Sequence, residues 1–439
     1  MNPAAEPRFW RRLAWPHLGA AAAVLLLIWG VAIAYRPTPF TDFHAHWASA
    51  LNLGIYLKGG ILILVYAPLA RLGVPASTAA TLLNSLAWML MVSALWIGRR
   101  PEEAGSRRTA QVLASGALAP LGFWWIGMGA LVNTDLPHLG LTAFALRGLL
   151  EGWRRESRWT LWLSGGLLGL GVSIRLQSLP PLLGLLVIFF GVWLWRGSKQ
   201  GWAQIGTRRF GRLAAALLLA AALAGSMDLA LRSLSELGDK LTVVSRSPLY
   251  NGILVTRPGQ WCGCWRPETT PIIEAEVHQS LREVVVKHLG EKSWGDLAAL
   301  VTCKMTNFLG ARVLAADWLA TPMESDPNQK AQSPGPVLEI LRTGEKLLNL
   351  GFRLLLLMLL VPWARWSRGP ESLYLPAAWL LLGGYIALHL VMEIQPRYLM
   401  PVLVFPFLLS IHGLRAPLLK PPGQQDGQLD QGLLRRPRA

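Results

Sequence analysis

Long apolar runs recur along this chain as far as residue 414, and they limit most strongly what it can fold into. Each run approaches the roughly 20 residues that a helix needs to cross a bilayer. Only 15% of the residues are charged, against about 25% in soluble domains. The runs predict an all-α polytopic membrane protein with about ten transmembrane helices, at 15–35, 75–97, 109–131, 136–150, 159–175, 179–196, 212–232, 346–364, 372–391 and 398–414.

The net charge of +17 at first suggests a nucleic-acid partner, but the distribution of the charge argues against one. About half of the 42 Lys and Arg residues lie in the terminal tails and in alternate short loops. Basic residues concentrate in this way on the cytoplasmic side of membrane proteins. The pattern therefore predicts both termini inside, no nucleic-acid binding, and several segments on the outer face, at 36–74, 132–135, 175–179, 233–345 and 392–397.

The same alternation predicts four parts. Residues 1–232 form an N-terminal membrane module that includes the first outer loop 36–74, and 233–345 form a soluble loop domain inserted on the outer face. Residues 346–414 form the C-terminal membrane helices, and the tail 415–439, rich in Pro, Gly and Gln, is predicted to be disordered in the cytoplasm. The first run could also be a signal peptide cleaved near Ala34, but its apolar core is too long for a typical one, which favours an uncleaved span.

Local patterns predict further features. Apolar positions at four-residue spacing between Trp47 and Lys58 indicate a helix on the membrane surface, and 274–289 has an amphipathic helical pattern. Trp124 and Trp125, near the end of a run, suggest an aromatic belt at the headgroups.

The three cysteines all lie in the outer segment, at Cys262, Cys264 and Cys303. An oxidising compartment permits disulfides, so we expect Cys303 to pair with Cys262 or Cys264. A zinc site is disfavoured because no Cys-x-x-Cys or paired-His spacing accompanies these cysteines.

Four acidic residues stand apart from the cytoplasmic basic patches and from the large loop, and all fall at the outer ends of predicted spans: Asp42, Asp135, Asp228 and Glu393. Each could simply lie in the hydrated headgroup zone. Charged groups at membrane depth are costly and usually functional or paired. Because Arg175 and Arg397 fall at the same face, the set predicts a polar site there.

Asp42 directly follows the first span. If its segment is helical, Asp42 and His46 share a face, whereas His44 lies on another, which disfavours a three-residue metal site. A carboxylate there can accept a proton from a hydroxyl or hold a divalent cation, and the metal question stays open.

Asp135 has a simpler alternative role, in which it or Thr134 caps the fourth span. Arg397 and Arg175 have the fixed fork of donors that suits phosphate. Either arginine could instead be an interfacial anchor or pair with a nearby acid, such as Glu393 for Arg397.

Three short segments give the chain a resemblance to the GT-C superfamily of membrane glycosyltransferases, which includes the protein mannosyltransferases and the aminoarabinose transferases. The segments are an acid after the first span followed by the Tyr-Ala-Pro-Leu run Tyr66–Leu69, the Thr134–Pro137 segment, and Pro396–Pro401 opening the last span. The resemblance covers the span layout through most of the chain. The insertion 233–345 shows no resemblance to any known family.

The resemblance implies polyprenyl-phosphate sugars as donors, Asp42 as the catalytic carboxylate and Arg397 near the lipid phosphate. Many relatives carry two adjacent acids in the first loop, and here Phe43 follows Asp42, which puts an acidic metal pair in doubt.

The leading hypothesis is an inverting glycosyltransferase in a cell membrane, of the bacterial inner-membrane kind, acting at its outer face on a glycan, lipid or protein acceptor. Asp42 would be the catalytic carboxylate, and the donor site would include Arg397, Arg175, Asp135, His46 and Glu393. The alternatives are a transporter or flippase of a lipid-linked sugar, whose sites tend to lie nearer the bilayer midplane, and a non-enzymatic scaffold for the outer domain.

Overall fold

The computed structural model describes residues 6–37, 41–52, 61–96, 104–175, 207–233, 239–254, 267–310, 313–320, 335–360, 374–393 and 395–413, with a few isolated residues between 190 and 198. Throughout these ranges the regular elements are helices. The first eight are α1 Glu6–Tyr35, α2 Thr41–Leu51, α3 Ile61–Arg71, α4 Ala76–Leu95, α5 Ala104–Met128, α6 Asp135–Arg155, α7 Arg158–Ile174 and α8 Thr207–Ser233.

The remaining described helices include two short 3-10 turns, Pro267–Thr269 and Pro396–Tyr398. The α-helices are α9 Asp239–Leu254, α10 Thr270–Ala275, α11 Leu281–Gly290, α12 Trp294–Gly310, α13 Ala315–Ala320, α14 Pro336–Leu360, α15 Tyr374–Val391 and α16 Leu399–Gly413.

The helical class is confirmed, and nine of the ten predicted spans fall on helices in the described ranges. The tenth, 179–196, lies largely outside them, as does the tail 415–439. In the described chain, three helices are long and apolar enough to cross a membrane, over His17–Tyr35, Ala76–Leu95 and Phe210–Ala230. Ten crossings and their orientation remain a prediction.

Small residues let the central helices approach at backbone distance. Gly165 and Gly169, four apart on α7, face Ala216 and Ala220 on α8, and a Cβ added at Gly165 would lie 2.5 Å from the Ala216 carbonyl oxygen. Glycine at such crossings lets helices in lipid pack closely. On its other side α7 contacts α6, which in turn contacts α4.

A tight turn joins α6 and α7 and makes them antiparallel. Glu156 ends α6 in a left-handed conformation, with φ of 54°. Ser157 then caps α7 by accepting a hydrogen bond from the Thr160 amide. As a consequence, the first residue of α6 and the last turn of α7 lie at the same end of the bundle.

The tryptophan pair at the end of α5 corrects one prediction. Trp124 and Trp125 are fully buried, and their indole nitrogens donate to Asn349 Oδ1 at 2.9 Å and to the Asn84 carbonyl at 3.0 Å. A buried indole needs such a partner. These side chains belong to the core of the bundle, not to a headgroup belt.

Two helical predictions also need revision. The surface helix expected from Trp47 begins earlier, as α2 at Thr41, and residues 53–60 lie outside the described chain. The amphipathic stretch 274–289 is two helices, because Ser280 starts α11 with a capping box in which it exchanges hydrogen bonds with Glu283.

Segment α9–α12 has its own small core, which contains Leu249, Tyr250, Ile253, Ile273 and Val284. Beside it the buried Glu276 carboxylate accepts hydrogen bonds from Lys287 Nζ, His288 Nε2 and Tyr250 Oη, at 2.6, 2.8 and 2.9 Å. Burial alone would raise the pKa of Glu276, but these donors outweigh it and lower the pKa to about 2.

Cys303, on α12, forms a disulfide. The disulfide agrees with the predicted pairing of Cys303, and the two candidate partners, Cys262 and Cys264, lie outside the described residues.

A substitution on α7 tests the close helix packing. Gly165→Ala forces a methyl group against the α8 backbone and should cost roughly 1–3 kcal/mol of unfolding free energy. Gly166→Ala is the matched control, because its Cβ would meet open space and alanine favours a helix by roughly 0.5–1 kcal/mol. Unfolding in detergent measures both variants, and equal stabilities would contradict the proposed crossing.

The pH dependence of segment α9–α12 tests the Glu276 cluster. A carboxylate whose pKa falls from 4.5 to about 2 on folding adds stability above pH 4.5 that disappears as the pH falls toward 2. Glu276→Gln should flatten resistance to proteolysis over that range, whereas Glu274→Gln, at an exposed position, should leave the wild-type profile. A wild-type profile that is already flat would refute the assignment.

Candidate functional site

Three charged side chains meet where α6, α7 and the start of α16 come together. The Asp135 carboxylate forms a salt bridge with Arg175 Nη1, and Arg397 Nη1 lies 3.8 Å from Asp135 Oδ2. The side chains of Asp135, Arg175 and Arg397 are 7%, 14% and 10% exposed, so the cluster is largely shielded from water. The structure therefore brings together three of the predicted site residues.

Capping of α6 does not need Asp135. The Leu136 amide donates to Asn133 Oδ1 at 2.9 Å, and Thr134, at the N-cap, makes no capping hydrogen bond with its side chain. The side-chain Nδ2 of Asn133 in turn donates to the carbonyls of Met128 and Leu131. The capping role that the sequence allowed for Thr134 or Asp135 belongs to Asn133, and the Asp135 carboxylate is directed to the arginines.

An aromatic column supports the arginines. His389 stacks on Tyr398 with ring centroids 5.3 Å apart and on Tyr385 at 6.5 Å. Arg175 Cζ lies 4.9 Å from the centroid of the Tyr398 ring, which is within the range of a cation–π contact. Tyr398 thereby ties the end of α7 to the start of α16.

A small cavity of about 20 Å³ lies among these groups, lined by the three charged residues together with His138, His389 and Tyr398. This volume holds a single water molecule. Among the residues that line it, two guanidinium groups face one carboxylate. A larger anion can enter only if side chains around the cavity move.

The short helix α13 connects this cluster to α2. The Trp318 ring packs edge-on against Phe43 with centroids 5.3 Å apart, and Arg397 Cζ lies 6.0 Å from the Trp318 ring. Phe43 directly follows Asp42 in α2. Helix α2 is therefore linked to Arg397 through the side chain of Trp318. The backbone of Asp42 lies in the first turn of α2, and its side chain is outside the described part of the structure.

Buried contacts fix α13 in place. The Glu345 carboxylate, with no exposed surface, accepts the first amides of the helix, from Ala315 at 3.2 Å and Ala316 at 3.1 Å. Arg342 donates twice to Asp317, at 2.9 and 2.6 Å. A rigid α13 holds the Trp318 ring between α2 and Arg397.

The segment after α2 packs beneath the same site. Tyr66 of the Tyr66–Leu69 run is buried in a cluster with Val132 and Ile174. These two residues precede Asp135 and Arg175 by three residues and one residue. The first loop and the cluster thus lie at one end of the bundle.

The other predicted residues have separate positions. His46 is buried on α2 and His44 is exposed, so the two do not share a face. Glu393 is buried and accepts a hydrogen bond from Gln395, but neither Glu393 nor His46 lines the cavity. Asp228 is half-buried near the end of α8 and is also outside the lining. In the described part of the chain, no three His, Cys, Asp or Glu side chains are grouped to hold a metal ion.

Sequence reasoning missed Trp318, Tyr398 and His389. Tyr385 and His389 are four apart on α15, a spacing that places them on one face, and Tyr398 adjoins Arg397. These were usable signals, whereas nothing in the sequence around Trp318 indicated its partners.

No protein-family model, curated protein or solved structure matches this chain.

A double-mutant cycle tests the central ion pair. Asp135→Asn leaves two buried guanidinium groups without their carboxylate and should cost roughly 3–5 kcal/mol. Combining it with Arg175→Gln should recover part of the loss, because contacting residues are coupled. The control cycle is the Glu151–Arg155 pair at the other end of α6, whose arginine side chain is 62% exposed and whose coupling should be about 0.3–0.5 kcal/mol. Equal couplings would argue against a buried pair.

Proposed function

We propose that this chain is a membrane glycosyltransferase. It transfers a sugar, with inversion, from a polyprenyl-phosphate donor to an acceptor hydroxyl at the outer face of the bilayer. The acceptor is a glycan, a lipid or a protein, and the membrane is of the bacterial inner-membrane kind. The GT-C resemblance of three short segments motivates this proposal, and the geometry of the cluster supports it.

The observation that carries the proposal is the meeting of Arg175 and Arg397 on the single carboxylate of Asp135. Both guanidinium groups line the same small cavity, and guanidinium forks match phosphate oxygens in pairs. Arg397 lies 3.8 Å from Asp135, beyond hydrogen-bond distance, so a turn toward a donor phosphate would break no short bond to that carboxylate.

The carboxylate of Asp42 is assigned the role of general base. It removes the proton from the acceptor hydroxyl as that oxygen bonds to the anomeric carbon, and the bond from that carbon to the phosphate oxygen breaks. The electron pair leaves with the lipid phosphate, whose added charge Arg397 and Arg175 stabilise. Because attack and departure occur on opposite faces of the sugar, the configuration inverts.

The location of the cluster suits a lipid donor. It lies at the ends of helices α6, α7 and α15, and not halfway along them. A polyprenyl chain can remain among the spans while its phosphate reaches the arginines. The carboxylate oxygens of Asp42 would also suit a divalent cation as ligands.

The decisive experiment is Asp42→Asn in membranes supplied with a panel of undecaprenyl-phosphate sugars. Removing a positioned base should lower transfer about 10²–10⁴-fold without loss of protein from the membrane. His44→Asn, at an exposed position of the same helix, is the matched control and should retain activity. Near-full transfer by Asp42→Asn would refute the catalytic assignment.

Arg397→Lys separates donor binding from base chemistry in the same assay. Lysine keeps the charge but loses the fork, so the apparent KM for the donor should rise and turnover should fall. If the purified protein transfers no sugar but moves a lipid-linked sugar between leaflets of a vesicle, the flippase alternative replaces this proposal.

A further inference from the structure

The connection between α15 and α16 carries Arg397, and none of its described residues is α-helical. Helix α15 ends at Val391, and Arg397 lies in the 3-10 turn Pro396–Tyr398. The last four carbonyls of a helix have no partner within it, so the direction of such a junction depends on outside contacts. Here those contacts come from segment α9–α12.

Lys304 of α12 makes the first of these contacts. Its side chain is fully buried, and its ammonium group donates to the carbonyls of Leu390 at 2.7 Å, Met392 at 3.1 Å and His389 at 3.4 Å. A buried ammonium is costly unless its donors are satisfied, and a cation at a helix C-terminus is favoured by the helix dipole. Lys304 therefore fixes the last turn of α15.

Helix α9 makes two further contacts with the same turn. The Glu393 amide donates to the Pro248 carbonyl at 2.5 Å. A Cβ added at Gly252 would lie 2.1 Å from the Val391 carbonyl oxygen, so only glycine permits this approach. Helices α9 and α12 thus both contact residues 389–393, a stretch that ends four residues before Arg397.

We propose that segment α9–α12 is a clamp that holds the α15–α16 junction, and that Lys304 is a positioning residue for Arg397. The clamp gives segment α9–α12 a role in the site, although this segment contributes no residue to the cavity lining described above. The disulfide of Cys303, next to Lys304 in α12, restrains the helix that supplies the ammonium. The effect on phosphate binding rests on the proposed function, whereas the effect on the junction does not.

Lys304→Met removes the three hydrogen bonds and keeps a flexible apolar stem. Hydrogen exchange of the peptide 389–398 should become about 10- to 100-fold faster, while exchange in α4 and α6 stays within about twofold. Lys304→Arg, which retains charge and donors, should recover part of the protection. Unchanged exchange in 389–398 would overturn the clamp.

Gly252→Ala disrupts the contact of α9 with the end of α15 and leaves Lys304 unchanged. It should accelerate exchange in 389–398 as well, and Gly290→Ala, in the same segment but facing open space, should not. This pair keeps the proposal testable if Lys304→Met fails to fold. Equal behaviour of the two glycine variants would also overturn the clamp.

Binding of dodecyl phosphate to the purified protein distinguishes the two proposals. Lys304→Met should weaken its affinity about tenfold or more, with Lys304→Arg closer to wild type. Faster exchange with unchanged affinity would refute a positioning role while leaving the clamp in place. If the wild-type protein binds no dodecyl phosphate, the proposed function fails and the exchange result still decides the clamp.

Discussion

The backbone-distance approach of α7 to α8 is the contact on which the site depends. Gly165 and Gly169 remove the side chains that would otherwise hold the two helices apart, and in a bilayer such packing replaces the hydrophobic effect as the source of helix association. Packing against α8 on one side and α6 on the other fixes the position of the end of α7. Arg175, at that end, therefore lies beside Asp135.

The electrostatics of the cluster follow from this arrangement. A buried carboxylate and a buried guanidinium are each costly alone, and their pairing offsets part of that cost. The second arginine comes from a different part of the chain, the α15–α16 junction, and its reach to Asp135 is longer. The Asp135–Arg175 pair is thus the fixed part of the cluster. The position of Arg397 is set by contacts of the α15–α16 junction with other helices.

Sequence reasoning identified much of this site for a physical reason. Ionisable residues are rare in apolar runs, so Asp135, Arg175 and Arg397 were conspicuous, and the alternation of basic loops assigned them to one face. The same reasoning failed where a residue was ordinary in type. Trp124 and Trp125 are common residues at a span end, and only the buried partners Asn349 and Asn84 reveal that they are core side chains.

Local sequence determined the helices, because apolar periodicity and capping residues such as Ser157 and Ser280 act over a few residues. It also determined which charged residues lie beside apolar runs and therefore need a partner of opposite charge. Tertiary structure decided the partners: which acid meets which arginine, that Asn133 caps α6, and that Trp318 lies between α2 and Arg397. Those choices depend on contacts between residues far apart in the chain, such as Lys304 with the end of α15. No local pattern encodes such contacts, because they exist only when the packed helices bring both partners to one place.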